Sequence, residues 1–326
     1  MNGSLIERAA AAYDFDAMLR DRPLSLRVNG PTTPVEVIAP VELRVIAPEQ
    51  VERVVDQPVL VRSDLADAVD PLTRGTAFDN ASPAQHGTID RARLQDEGFI
   101  LPDMPIGTIA EEFRLVKRQL LLRTPGELRG VSPKDRMILV CSAQPNEGKT
   151  FCSVNLALSL ASERDNEVLL VDADVAKPQV LSTLGIGGTA GLIDAIADPD
   201  ADVERFIIQT DIPKLSVLPA GRQTNNDTEL LSSARAAQVI ESLATNNPRR
   251  IVILDSAPAL AASPAGVLAH RVGRILMVVR ADRTSEAELR EAIALLDGCE
   301  DISLLLNGTS FFGTNRTYGS YYGTDR

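Results

Sequence analysis

The chain lacks the residues that staple or anchor many small proteins. Its three cysteines, Cys141, Cys152 and Cys299, are odd in number and follow no metal-ligand spacing. That excludes a disulfide framework and a thiolate metal site, and leaves reduced, buried small side chains as their expected role. No apolar run approaches the roughly 20 residues that span a bilayer. The start, MNGSLIERAA, has no basic region ahead of an apolar core, so neither a membrane span nor a secretory signal is predicted. Positive charge is also short. Against 45 Asp and Glu stand 33 Lys and Arg, for a net charge of −12. A general nucleic-acid binder needs a basic face, so no nucleic-acid partner is expected, while a local basic site for a phosphate ligand stays open. At 326 residues with 44% hydrophobic content, the chain can build one large α/β domain with extra segments.

Four regions follow from composition and periodicity. Residues 1–21 carry helical spacing, with Leu5, Ile6, Ala9, Tyr13 and Leu19 on one stripe. Residues 22–85 hold recurrent prolines and a repeated VIAP at 37–40 and 45–48. They read as an extended linker, partly disordered, with room for short edge strands. Residues 86–310 look globular. A helix over 92–99 comes first. TIAEEFRLVKRQLLLR (108–123) is amphipathic, with Phe113, Val116 and Leu120 on one face and Glu111, Arg114, Lys117 and Arg118 on the other. Strands are then predicted at 136–142, 167–174, 214–220, 250–257, 274–280 and 303–308. Helices are predicted at 149–163, within 191–206, at 228–245 and at 285–298. Apolar strands alternating with helices predict a mostly parallel sheet covered on both faces, with ligands at the carboxyl ends of the strands. Residues 311–326 form a tail that holds three of the chain's four tyrosines, Tyr318, Tyr321 and Tyr322, interleaved with glycine.

Three motifs carry chemistry. AQPNEGKT (143–150) lies between a predicted strand and a predicted helix, the context that a phosphate-binding loop requires. Backbone N–H groups of Asn146, Glu147, Gly148, Lys149, Thr150 and Phe151 would line one concavity at a helix N-terminus. Lys149 would reach the β- and γ-phosphates of ATP, and Thr150 would hold Mg²⁺. Ala143 and Asn146 stand where glycines are usual, and Asn tolerates positive φ. LLVDADVAKP (169–178) places Asp172 and Asp174 two apart at a strand end, 23 residues after Lys149 in the case of Asp172. Both carboxylates would face one side, to hold Mg²⁺ or take a proton from a hydroxyl. IVILDSAP (251–258) ends an apolar strand on Asp255, a buried acid best explained by a cation. A nucleotide site plus a tyrosine-rich tail suggests an enzyme that phosphorylates its own end. Asp172 is the candidate base, with Lys149, Asp174 and Asp255 completing the site.

These motifs in this order resemble the deviant P-loop ATPases, and among them the bacterial tyrosine kinases of polysaccharide synthesis. SLIERAA, EEFRLVKRQLL, NEGKTF and DADVAKP are similar more narrowly to exosortase-associated tyrosine autokinases. The resemblance covers roughly 86–326 and the first dozen residues. It implies that Tyr318, Tyr321 and Tyr322 are phosphoacceptors and that Glu111, Arg114 and Lys117 match a ring-assembly E-x-x-R-x-x-R helix. It places Asn307 at the adenine. It further implies a homo-oligomeric ring, a membrane-bound chain-length-determinant or co-polymerase activator, a phosphotyrosine phosphatase, and a cytoplasmic location at the inner membrane through that activator. Ala176, Phe151 and Ala257 depart from the family pattern. Two rival readings share the fold: a partitioning or cell-positioning ATPase switch, and a non-catalytic nucleotide-binding adaptor. Against the switch, CSAQPN carries no extra lysine.

Overall fold

The structure, a computed structural model, describes residues 35–37, 85–102, 107–122 and 132–308. The expected N-terminal helix, most of the proline-rich segment and the tyrosine tail lie outside the described residues. Among the described residues nine strands form one sheet: β1 (Val35–Val37), β2 (Gln85–Gly87), β3 (Met137–Ser142), β4 (Glu167–Ala173), β5 (Ile208–Thr210), β6 (Leu215–Leu218), β7 (Arg250–Ser256), β8 (Arg274–Arg280) and β9 (Ile302–Asn307). Their order is β1-β9-β8-β3-β7-β4-β6-β5-β2. Every neighbouring pair is parallel except β5 with β6.

The centre of the sheet follows from composition. Every residue of β3 and of β7 is buried, as apolar runs covered on both faces must be. Successive side chains alternate between two cores. Met137, Leu139 and Cys141 enter one, and Ile138 and Val140 the other. The first core is covered by α5 (Leu192–Ala197), α6 (Asp227–Ser232), α7 (Ala234–Thr245), α8 (Pro264–Ala269) and α9 (Glu286–Ala294). The second is covered by α1 (Arg91–Asp96), α2 (Thr108–Leu122), α3 (Lys149–Ala161) and α4 (Val180–Leu184). Eleven residues of α3 are buried. It has no solvent face because the sheet lies on one side and α2 packs on the other through Phe113, Val116 and Leu120.

Most predicted elements stand within one or two residues of their expected bounds. The stretch 228–245 is two helices, not one. Ser233 adopts an extended conformation (φ −71°, ψ 159°), and its side chain accepts from Ala236 N to start α7. The short elements α4, α8, β2 and β5 had no prediction. Among the described residues no helix is long and apolar enough to cross a membrane. The three cysteines are buried and free. Burial pushes the Cys141 and Cys152 thiols up to about 12, which keeps them protonated and inert.

Candidate active site

The loop between β3 and α3 is shaped by two left-handed residues, Asn146 at φ 64° and Gly148 at φ 96°. Gly148 has a second constraint. A Cβ there would lie 2.1 Å from Asn307 Nδ2, and that same amide donates to Glu147 O at 2.9 Å. The loop backbone is therefore pinned from β9, and only glycine leaves room for the pin. Glu147 turns inward. It is 4% exposed; one carboxylate oxygen accepts from Gln144 N at 3.0 Å and the other from the Thr284 hydroxyl. Gln144 Nε2 in turn donates to Glu288 (3.1 Å), which closes the capping box of α9 with Ser285. The segment after β8 thus fixes the loop before any ligand arrives, and the loop leads directly into the N-terminus of α3 at Lys149.

The acids converge on this loop. Asp172 and Asp255 are register partners on β4 and β7, so two carboxylates sit side by side at the carboxyl edge of the sheet. Thr150 Oγ1 donates to one Asp255 oxygen at 2.7 Å, and Ser153 Oγ to the other at 2.9 Å. Burial pushes Asp255 up to about 6, with Asp174 adding to the rise and the two hydroxyls and Lys149 opposing it. Asp172 is pushed up to about 7 by burial and then by the Asp255 charge, against hydrogen bonds from Val180 N (2.9 Å) and Gln179 N (3.0 Å) at the start of α4. Those two bonds use Asp172 Oδ2. Its Oδ1 is buried with no partner among the described residues. Asp174, just past the strand, is also raised by burial, opposed by the Lys177 N–H and by Lys149. Lys149, 8% exposed, lies close enough to Asp174 and Asp255 to favour their charged forms.

These residues fit a divalent cation. An orphaned buried carboxylate oxygen, two acids held above their ordinary range and a Thr hydroxyl aimed at one of them form an oxygen-only donor set of the kind Mg²⁺ takes. Among the described residues no three His, Cys, Asp or Glu side chains form a cage by themselves. The ion would therefore depend on Thr150, the carboxylates, water and a nucleotide's phosphates.

The comparisons agree with this geometry. Residues 136–283 match the AAA domain family. The tyrosine-protein kinase YwqD of Bacillus subtilis is 29% identical over 72% of this chain and 95% of that protein. The tyrosine-protein kinase etk of Escherichia coli is 28% identical over 67% of this chain and 29% of that protein. The solved kinase domain of VpsO is 29% identical, with a TM-score of 0.50, over 63% of this chain and 100% of that domain. Along the stretch that holds the candidate site, the chain is therefore similar to bacterial tyrosine-protein kinases. It spans about a quarter (27%) of the length of several curated relatives, EpsB of Ralstonia nicotianae among them.

In this chain, Lys149, Thr150, Asp172, Asp174 and Asp255 are brought to one place. Asn307 reaches the same loop from β9. Phe151 packs its ring against Phe99 at a tilt of 47°, with centroids 4.8 Å apart, so only its backbone N–H remains to serve a ligand. Glu147 offers its N–H in the same way, its side chain being committed to Thr284 and Gln144. On α2, Glu111 and Arg114 pair with each other at 2.5 Å on the exposed surface. Lys117 does not share that surface. Its ammonium is tied to Glu163 (2.5 Å) and to Ser159 O (3.2 Å) at the end of α3, with its side chain 11% exposed. Sequence reading missed Ser153, Thr284, Gln144 and Glu288. Ser153 follows Lys149 by one helical turn, which places it beneath the loop, and that spacing is the one signal that could have found it.

Proposed function

We propose that this protein is a bacterial tyrosine kinase, an ATP-dependent protein-tyrosine autokinase that phosphorylates Tyr318, Tyr321 and Tyr322. The observation that carries the reading is the convergence of Lys149, Thr150 and three acids on one phosphate loop, in a chain whose tyrosines cluster in its last residues. The loop N–H groups from 146 to 151 and Lys149 bind the phosphates. Asn307 lies at the base end, on the β9 side. Mg²⁺, when bound, offsets charge on the transferring phosphoryl group, and Thr150, Asp255, Asp172 and Asp174 are the residues that would hold it. Asp172 orients a tyrosine hydroxyl and accepts its proton at the unpartnered Oδ1. The tyrosine oxygen bonds to the γ-phosphorus, the bond from that phosphorus to the bridging oxygen breaks, and ADP leaves. Most of the rate comes from positioning and charge.

The acceptor tyrosine comes from a neighbouring subunit of a ring in which Glu111 and Arg114 of α2 take part. Each phosphate adds about −1.5 to −2 charges. Three on an acidic subunit repel neighbours and loosen the ring. The wider role is regulation of exopolysaccharide or capsule polymerisation and export. A membrane-bound co-polymerase acts as activator, a phosphotyrosine phosphatase resets the tail, and the kinase sits at the inner membrane through its activator. The test is phosphotyrosine mass spectrometry of purified protein with ATP and Mg²⁺, beside Lys149→Ala. ATP-dependent phosphate on the tail, lost in the variant, is expected. Phosphate release with no phosphotyrosine, even with the activator's cytoplasmic segment added, would replace the reading with a hydrolytic switch.

A further inference from the structure

β8 ends on Arg280, half-buried at the carboxyl edge of the sheet. The arginines that begin β7 and β8 are paired, Arg250 with Glu204 and Arg274 with Asp301. The Arg280 guanidinium has no ion-pair or hydrogen-bond partner among the described residues. Its backbone, by contrast, is tied to the phosphate loop. Arg280 N donates to Thr284 Oγ1 at 3.0 Å, and Thr284 N donates back to Arg280 O at 3.0 Å. The same Thr284 hydroxyl holds Glu147. Ala281 N donates to Asn307 O at 2.8 Å, and the turn passes through Asp282 at φ 60°. A fixed piece of backbone therefore presents the cation before any ligand binds.

The side chain's surroundings place its charge. Leu276 and Val278 of β8 join the core that α3 covers, and Arg280 continues that alternation. Gly308, at φ 67°, packs against the guanidinium, and a Cβ there would come within 2.7 Å of Arg280 Nη1. On the other flank lies Cys152, in the first turn of α3, where the Arg280 charge opposes the rise that burial gives the thiol. The guanidinium thus stands between the start of α3 and the end of β9. It is away from the acids. Lys149 favours the charged forms of Asp174 and Asp255, whereas Arg280 is not among the charges that act on Asp172, Asp174 or Asp255. The two cations therefore divide the site, Lys149 at the acidic end and Arg280 at the other.

A nucleotide laid from the acids toward Asn307 passes both. Lys149 serves its β- and γ-phosphates. The α-phosphate comes next, and there the chain is short of side-chain donors. Phe151, which follows Thr150, has no hydroxyl, and its ring is packed against Phe99. An unpaired guanidinium beside Cys152 offers planar N–H donors that match phosphate oxygens. A cation next to a helix N-terminus is also unfavourable until an anion joins it.

We infer that Arg280 holds the α-phosphate of the bound nucleotide, in place of a hydroxyl at position 151. The inference rests on the nucleotide site of the proposed function and not on the tyrosine tail. Gly308 becomes part of the site as well, because glycine leaves the guanidinium its room.

The test is calorimetric binding of ADP, and of its two α-phosphorothioate diastereomers, to the full chain with Mg²⁺. Wild type is expected to bind the two diastereomers with affinities that differ about threefold or more, because sulfur accepts a guanidinium N–H less well than oxygen does. Arg280→Gln should weaken ADP binding about tenfold or more and erase that preference, and Arg280→Lys, which keeps the charge but not the fork, should fall between. Urea unfolding of Arg280→Gln without nucleotide should match wild type, since no partner is lost. ADP affinity within about twofold of wild type in Arg280→Gln would overturn the inference and leave the nucleotide site standing. So would a diastereomer preference that is absent from wild type or survives the substitution, and so would a loss of binding matched by a loss of stability. A wild-type chain that binds no ADP would overturn the nucleotide site itself. A chain that binds ADP through Arg280 but forms no phosphotyrosine with ATP would remove the autokinase reading alone.

Discussion

Replacing Asp172 with Asn should stabilise the ligand-free protein while abolishing transfer. Burial and the Asp255 charge raise Asp172 from its ordinary 3.8 to about 7. In the unfolded chain the group is ionised at neutral pH and well solvated. Between 3.8 and about 7 the folded chain holds a proton that the unfolded chain has lost, so stability falls as pH rises through that window and is flat above it. A shift of that size corresponds to about 4 kcal/mol at pH 8. Asn keeps the oxygen that accepts from Gln179 N and Val180 N. It puts an amide where Oδ1 has no partner, and beside the Asp255 carboxylate that amide is a donor. A gain of about 2–4 kcal/mol at pH 8 is expected, which for a domain of this size raises Tm by about 5–15 °C. The gain should shrink to about 1 kcal/mol or less at pH 4.5, where little of the wild-type penalty has accumulated. Thermal unfolding of both proteins without nucleotide or Mg²⁺, from pH 4.5 to 8, reads this directly. An Asp172→Asn protein that is no more stable than wild type at pH 8, or that gains equally at both pH values, would refute the electrostatic account of this acid.

Gly148→Ala forces a side chain onto positive φ and into the Asn307 amide, so ATP affinity should fall at least tenfold by titration calorimetry, with the loop rather than the core disturbed. Ser153→Ala leaves an Asp255 oxygen without its donor and should lower stability by about 1–3 kcal/mol in urea unfolding, together with a weaker Mg²⁺ dependence of nucleotide binding. On α2, Arg114 and Lys117 should separate. Arg114→Ala is expected to change oligomer mass in sedimentation with stability altered by no more than about 0.5 kcal/mol. Lys117→Ala should lose about 1 kcal/mol in urea unfolding, because it holds Ser159 O and Glu163.

Much of the site was legible because its residues occur at strand ends whose apolar runs are unambiguous. β7 reads as five buried residues ending in Asp255, and β4 likewise delivers Asp172. Asn146 was recognised as able to take a left-handed conformation, and it does. The less legible parts share a cause. Glu147 looks like one more loop residue until Thr284, far away in sequence, is seen beneath it. Lys117 looks like one more charge on a helix face until α3 is packed there. Helical spacing assigns a long side chain to a face, but a four-carbon stem can lie along the neighbouring helix and deliver its charge elsewhere. α4 and β5 were missed because five and three residues carry too little periodicity to be read, although α4 supplies both N–H groups that hold Asp172.

The two strands that flank the sheet are only three residues long; β1 lies within the proline-rich segment and β2 begins where that segment ends. β1 pairs with the first half of the outer edge of β9, Ile302–Leu304, in a strand of sequence ISLLLN. A chain trimmed to begin at residue 84 would keep every group of the candidate site. It would also uncover Ile302–Leu304, leaving the whole outer edge of β9 with free ladder N–H and C=O groups, the kind of template on which copies add strand to strand. Loss of solubility in such a truncated chain, without loss of nucleotide binding by the soluble fraction, would show that β1 shields the sheet from self-association.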